Sequence, residues 1–126
     1  MKKYFIDTNV ILRFLLHDDN KYYNQAETFF EKAKNKKVEI IVIPEVLLEM
    51  DYVLRGVYSI TKEEVVDIIL KLVLTPYFKI IDRSIFIQAV KKYQKINIDL
   101  FDLYLYYKAQ DGKGTVISFD KDFKKI

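Results

Sequence analysis

The chain has 126 residues, 51% of them hydrophobic, and a formal net charge of +3. This is the length of one domain with its own core, and the apolar content excludes a disordered chain. With no cysteine and a single histidine, thiolate sites and His-rich zinc sites are excluded, so any bound metal must take mainly oxygen ligands. No segment is long and apolar enough to cross a bilayer, and we expect a soluble, cytoplasmic protein.

Short apolar runs alternate along the chain with stretches of helical periodicity. Residues 4–6 form the first run, which predicts a strand buried on both faces, and a helix begins at about Thr8. The other predicted elements are a helix over 22–33, a strand over 38–43, a helix over 44–58, a helix opened by a capping box at 61–64 and ended by Pro76, a strand over 78–81, a helix over 85–93, a helix over 99–111 and a last strand over 115–119.

Strands that alternate with helices, without hairpin signals, predict a parallel sheet with helices on both faces. We find no repeat, linker or low-complexity segment, so residues 1–126 form a single α/β domain in this interpretation. In such sheets ligands bind beyond the carboxyl ends of the strands. Candidate site residues are therefore sought at that rim.

Four acidic residues fall at this rim. Asp7 and Asp120 follow the first and last predicted strands, Glu49 lies in the first turns of the helix after the second strand, and Asp102 lies in the first turn of the helix before the last strand. Each has a structural alternative. Asp7 could cap the following helix, Asp102 could form a capping pair with Asp99, and Asp120 could cap a terminal helical turn.

The helix after the second predicted strand offers two carboxylates, because Glu45 and Glu49 lie one helical turn apart. Glu49 falls at the edge of the predicted apolar face of its helix, where a half-buried carboxylate is costly unless compensated, and is the better candidate. Several carboxylates at one rim would repel each other unless cations neutralise them. Divalent ions held there would activate water and stabilise an in-line displacement, so the chemistry indicated is metal-assisted phosphodiester hydrolysis.

Four motifs, in their order and spacing, resemble those of PIN-domain nucleases, and in particular those of VapC-type toxins of toxin–antitoxin pairs. The resemblance runs from Lys3 to Lys125, nearly the whole chain. The motifs are Ile6-Asp7-Thr8-Asn9-Val10, Val46-Leu47-Leu48-Glu49, Asp99-Leu100-Phe101-Asp102 and Ser118-Phe119-Asp120-Lys121-Asp122-Phe123.

This resemblance implies a Mg²⁺- or Mn²⁺-dependent ribonuclease on a three-layer α/β/α sandwich whose first and fourth strands are neighbours. It implies that four residues hold the metal and carry the catalysis: Asp7, Glu49, Asp102 and Asp120. Hydrogen bonds that orient these carboxylates or water are expected from Thr8, Asn9, Ser118 and Asp122. Independently of the resemblance, the only arginines, Arg13, Arg55 and Arg83, are the natural candidates to bind a substrate phosphate. Arg13 is the best of them, with a surface ion pair as its alternative.

The resemblance also implies an RNA substrate, a homodimer and a small antitoxin whose tail covers the active site. Family members commonly continue past the last acidic motif into a further edge strand, whereas this sequence stops at Ile126. We therefore expect about four strands, or a partner that covers the open edge. Two alternatives remain: a PIN nuclease in RNA maturation or quality control without an antitoxin, and a catalytically silent RNA-binding module.

Overall fold

The computed structural model describes residues 1–126 and confirms the α/β class, with a parallel sheet flanked by helices. No helix combines the length and the apolar character that crossing a membrane requires. The elements in chain order are β1 (Lys2–Phe5), α1 (Thr8–Leu16), α2 (Asn20–Lys34), β2 (Val38–Val42), α3 (Pro44–Gly56), α4 (Lys62–Val73), β3 (Phe78–Ile80), α5 (Arg83–Tyr93), α6 (Leu100–Asp111) and a terminal 3-10 helix (Lys121–Lys125).

The sheet has the order β1-β2-β3, with β2 in the centre. Phe5 pairs with Ile41, and Val42 pairs with Ile80, in parallel register. The N–H of Ile6 continues the ladder to the carbonyl oxygen of Ile41 at 3.1 Å. Because all three strands run in the same direction, their carboxyl ends meet at one rim. The starts of α1, α3 and α5 lie directly after that rim.

The predicted last strand is absent. Residues 115–119 form no strand, and the side chains of Ile117 and Phe119 are completely exposed. A segment rich in β-branched residues becomes a strand only when a partner and a half-buried surface are present, and here it has neither. β1 is consequently an edge strand, so the prediction that it is buried on both faces is wrong, and Phe5 is 70% exposed. The sheet has three strands rather than about four.

A hydrophobic core of 24 residues holds the helices that carry the acidic motifs. Leu47, Met50 and Leu54 are fully buried on α3, and Leu100 and Leu103 anchor α6. Burying an aliphatic side chain of this size contributes about 1.5–3 kcal/mol. The first turns of α3 and α6 are therefore fixed relative to the sheet.

Both ends of α4 are satisfied by side chains. Thr61 occupies the predicted cap position, and its hydroxyl accepts a hydrogen bond from the N–H of Glu64 at 3.3 Å. At the other end, Arg83 donates to the carbonyl oxygens of Val73, at 2.5 Å, and of Thr75 just beyond it, at 3.1 Å. A cation on these carbonyls complements the negative end of the helix dipole.

Candidate active site

Asp7 lies where β1 gives way to α1 and occupies the N-cap position of that helix. Its side chain makes no capping hydrogen bond, although its backbone has the extended conformation of a cap. Asp19, at the start of α2, does cap, and accepts from the N–H of Tyr22 at 3.0 Å. The capping alternative for Asp7 is therefore wrong. Its exposed carboxylate is available to a ligand.

Glu49 is exposed on α3, so the expectation that it is half-buried at an apolar edge is wrong. Glu49 is exposed because the face of α3 that packs into the core runs through Leu47, Met50 and Leu54. Glu49 lies instead on the exposed stripe with Glu45, and it forms neither a hydrogen bond nor an ion pair. Its candidacy depends only on its place near the start of α3.

Asp102 lies in the first turn of α6 and is half-buried. Burial raises the pKa of its carboxyl, and the negative charges of Asp99, Asp120 and Asp122 raise it further. Asp99 occupies the N-cap position of α6 without capping it, so the capping pair considered as the structural alternative for these two residues does not form. Sequence reasoning considered Asp99 only as a cap, although its spacing from Asp102, one helical turn, could have placed it in the acidic group.

Short-range hydrogen bonds shape the last motif. The N–H of Asp120 donates to Ser118 Oγ at 2.9 Å, and Asp120 Oδ1 accepts from the N–H of Asp122 at 2.8 Å. Asp120 therefore does cap the terminal 3-10 helix. Asp122 forms an ion pair with Lys125 at 3.1 Å. Ser118 thus orients the backbone of Asp120, and Asp122 already has a cationic partner.

The four predicted ligands are not gathered into one cluster. Asp120 acts electrostatically on Asp102, but neither Asp7 nor Glu49 is among the charges that shift its pKa. No group of three or more His, Cys, Asp or Glu side chains is arranged to hold a metal ion. The physical reason lies in residues 115–119: because this segment is not paired with β1, nothing fixes Asp120 beside Asp7. Their role as metal ligands stays a prediction.

The polar neighbours of Asp7 differ in environment. Thr8 is buried, with 2% exposure, whereas Asn9 is exposed and borders a groove together with Arg13.

The guanidinium of Arg13 donates to Asp18 at 2.8 Å and to the hydroxyl of Tyr58 at 3.1 Å. The surface ion pair is therefore what the structure shows for Arg13, and a phosphate would have to compete with Asp18.

One further carboxylate reaches the rim, at the end of β3. Asp82 has φ of 60° and accepts hydrogen bonds from the Tyr104 hydroxyl at 2.6 Å and from Lys108 Nζ at 2.9 Å. These two donors, the hydroxyl first, lower the pKa of Asp82. Its charge is already balanced, so Asp82 is a structural residue and not a candidate ligand.

Comparison with known proteins agrees with the motifs. The chain matches the family described as PIN domain over residues 4–126. It is similar to the VapC ribonuclease of Aquifex aeolicus (strain VF5), with 29% identity over 122 residues that cover 96% of this chain and 90% of that protein. No solved structure matches significantly. Since the family match extends over nearly the whole chain, this protein belongs to the PIN-domain family.

Proposed function

We propose that this protein is a metal-dependent endoribonuclease of the VapC type, which hydrolyses RNA phosphodiester bonds. The observation that carries the proposal is the surroundings of Asp102, where the charges of Asp99, Asp120 and Asp122 act on one half-buried carboxyl. Of these four residues only Asp122 has a cationic partner. Membership of the PIN-domain family and the similarity to a VapC ribonuclease support RNA as the substrate.

The donor set fits a hard divalent cation. All candidate ligands are carboxylates, and oxygen ligands of this kind suit Mg²⁺ or Mn²⁺. In this proposal the ion is held by Asp7, Glu49, Asp102 and Asp120. When bound, it would lower the pKa of a water molecule and offset the charge of the phosphodiester.

The chain's own contribution is to position these carboxylates. The buried Leu100 and Leu103 hold the first turn of α6, and with it Asp102. The hydrogen bond from Asp120 to Ser118 fixes the turn of the last motif. Pairing of residues 115–119 with the free edge of β1 would bring Asp120 to the rim where Asp7 lies, as the resemblance implies. Thr8 and Asn9 would then support Asp7 from the start of α1.

The proposed biological context is a toxin–antitoxin pair. The VapC resemblance implies a homodimer and a small antitoxin that covers the acidic group. A small reading frame of antitoxin type beside the gene would support this context. Co-expression with its product, followed by loss of ribonuclease activity in the purified complex, would test it.

RNA cleavage by the purified protein tests the proposed activity. With Mg²⁺ or Mn²⁺ we expect the protein to cut single-stranded RNA, and EDTA should stop the reaction. Replacing one ligand removes several kcal/mol of transition-state stabilisation, so Asp102→Asn should lower the rate by at least about 100-fold. The control is Asp67→Asn, which removes a surface carboxylate paired with Lys71 on α4. Equal cutting by the wild type and by Asp102→Asn would contradict the proposal.

A further inference from the structure

The side chain of Arg13 joins α1 to two other parts of the chain. Its guanidinium donates to Asp18 Oδ2 at 2.8 Å, in the turn between α1 and α2, and to the hydroxyl of Tyr58 at 3.1 Å, just after the end of α3. The Arg13 side chain is 29% exposed, so most of it lies against the protein. No other side-chain hydrogen bond joins α1 to α3 or to the turn that follows α3. Arg13 is therefore the polar connection between these two helices.

Both partners of Arg13 are fixed to the ends of helices. The N–H of Tyr58 donates to the carbonyl oxygen of Val53 at 3.2 Å, which holds Tyr58 against the last turn of α3. Asp18 directly precedes Asp19, whose side chain caps α2. A guanidinium presents its N–H donors in a rigid planar arrangement, so it cannot follow two partners that move apart. The two contacts of Arg13 therefore restrict how α1 lies against the end of α3.

These two helices carry two of the four predicted metal ligands. Asp7 immediately precedes α1, and Glu49 lies on α3. Neither carboxylate forms a hydrogen bond or an ion pair, so its position is set only by the helix that carries it. Buried side chains such as Leu12 and Leu47 hold each helix in the core, but apolar burial is not directional. Because metal ligands must be placed to within about 0.5 Å, a directional contact between the helices adds what packing alone does not supply.

One side of α1 faces open space. Asn9 and Arg13 lie one helical turn apart on the same face of α1, and both border a groove of about 500 Å³ between α1 and α2. Tyr22 forms part of the opposite wall of this groove and is 52% exposed. Packing on this side therefore does not oppose a rotation of α1, which would carry Asp7 and Asn9 with it. The contacts of Arg13 do oppose such a rotation.

We propose that Arg13 is a positioning residue for the candidate metal centre. Through Tyr58 and Asp18 it sets the orientation of α1 against α3. That orientation in turn sets the position of the Asp7 carboxylate relative to that of Glu49. The inference rests on the proposed function for the presence of the metal ion, and it gives Arg13 a role other than binding a substrate phosphate. Substitutions at Arg13 therefore act on metal binding even when no substrate is present.

Mn²⁺ binding without RNA, followed by the electron paramagnetic resonance signal of the free ion, tests this role. We expect Arg13→Gln and Tyr58→Phe each to weaken Mn²⁺ binding about two- to fivefold, a limit set by the modest strength of surface contacts. The double variant should lose no more than Arg13→Gln alone, because both substitutions remove the same contact. The matched control is Tyr22→Phe, which removes an exposed hydroxyl from the wall of the neighbouring groove and should leave Mn²⁺ affinity unchanged.

Kinetics separate positioning from a contact with substrate. If Arg13 positions the metal ligands, Arg13→Gln should lower kcat about fivefold or more at unchanged KM for RNA. A lost phosphate contact would instead raise KM. Arg13→Lys keeps the positive charge but not the planar pair of donors, so it should behave like Arg13→Gln in both measurements. Because the contacts of Arg13 lie at the surface, the melting temperature of each variant should stay close to that of the wild type.

The outcomes separate this inference from the proposed activity. Unchanged Mn²⁺ affinity in Arg13→Gln and Tyr58→Phe, in a protein that binds Mn²⁺ and cuts RNA, would overturn the positioning role and leave the nuclease standing. A raised KM with unchanged Mn²⁺ affinity would also overturn it, and would assign Arg13 to the substrate. A wild type that binds no Mn²⁺ would overturn both proposals. Weaker Mn²⁺ binding in the variants of a protein that cuts no RNA would support the positioning role and contradict the nuclease.

Discussion

The variant Tyr104→Phe, which lacks one hydroxyl, tests how the negative charge of Asp82 at the rim is stabilised. The Tyr104 hydroxyl donates to Asp82 Oδ2 at 2.6 Å, and the Asp82 side chain is 18% exposed. The ring of Tyr104 stacks on Phe86 with centroids 4.6 Å apart, and phenylalanine preserves that contact. The variant therefore deletes a hydrogen bond to a charged group and little else.

The expected cost follows from the charge of the acceptor. A hydrogen bond to a charged group contributes about 1.5–3 kcal/mol, and Lys108 still donates to Asp82 at 2.9 Å in the variant. We expect Tyr104→Phe to lower the free energy of unfolding at pH 7 by about 2 kcal/mol. For a domain of this size, that loss corresponds to a fall in melting temperature of roughly 8 °C.

The pH dependence has a definite sign. The pKa of Asp82 is lowered in the folded protein, so its contribution is fully present above the unfolded pKa of about 3.9 and is lost as the pH falls through the folded pKa. The difference between wild type and Tyr104→Phe should thus shrink below about pH 4, towards about 1 kcal/mol for a neutral hydrogen bond. Urea unfolding at a series of pH values measures it.

Tyr106→Phe is the matched control on the same helix. The Tyr106 hydroxyl accepts from the Gln110 side chain at 2.7 Å and touches no carboxylate. It should change stability by less than about 0.5 kcal/mol, without a trend at acid pH. If Tyr104→Phe is no more destabilising than Tyr106→Phe, or if its effect is the same at pH 7 and at acid pH, the charge-based reasoning is refuted.

Two further predictions concern stability. Leu47→Ala removes a fully buried α3 side chain and should lower the free energy of unfolding by about 2–5 kcal/mol in urea unfolding, whereas Leu74→Ala, at an exposed position, should cost far less. Arg83→Gln removes the cation from the carbonyl oxygens of Val73 and Thr75 at the end of α4 and should cost about 2–3 kcal/mol, against less than about 1 kcal/mol for Arg13→Gln, which breaks a surface ion pair. A melting temperature of Arg83→Gln equal to that of Arg13→Gln would contradict this assignment.

Local sequence patterns predicted most of the fold, because helices, helix caps and strand propensity are determined by residues that are close in the sequence. The three paired strands, the Thr61 cap of α4 and the helices between the strands follow from apolar periodicity and turn residues. Residues 115–119 show the limit of such patterns. Their composition is that of a strand, but pairing is a long-range property that the segment itself does not encode.

The role of the acidic residues stays a prediction, and only part of their surroundings could be read from the sequence. The position of Asp7 follows from where β1 gives way to α1, whereas the exposure of Glu49 depends on which stripe of α3 its neighbours bury. Asp82 also lies at the rim, and only the contacts with Tyr104 and Lys108 show that its charge is balanced. Sequence spacing cannot distinguish a balanced carboxylate from an unbalanced one, since the partners come from distant elements.

Crystals grown with Mn²⁺ would show directly whether the acidic motifs form one metal centre. Anomalous scattering locates the ion, and its oxygen ligands can be read from the same map. We expect a single strong peak bound by Asp102 together with Asp7, Glu49 and Asp120, with residues 115–119 paired along β1. Two results would contradict the proposed nuclease centre. In the first, no ion is bound at Asp102 at saturating Mn²⁺. In the second, an ion is bound only by Asp99 and Asp102, and Asp7 is not among its ligands.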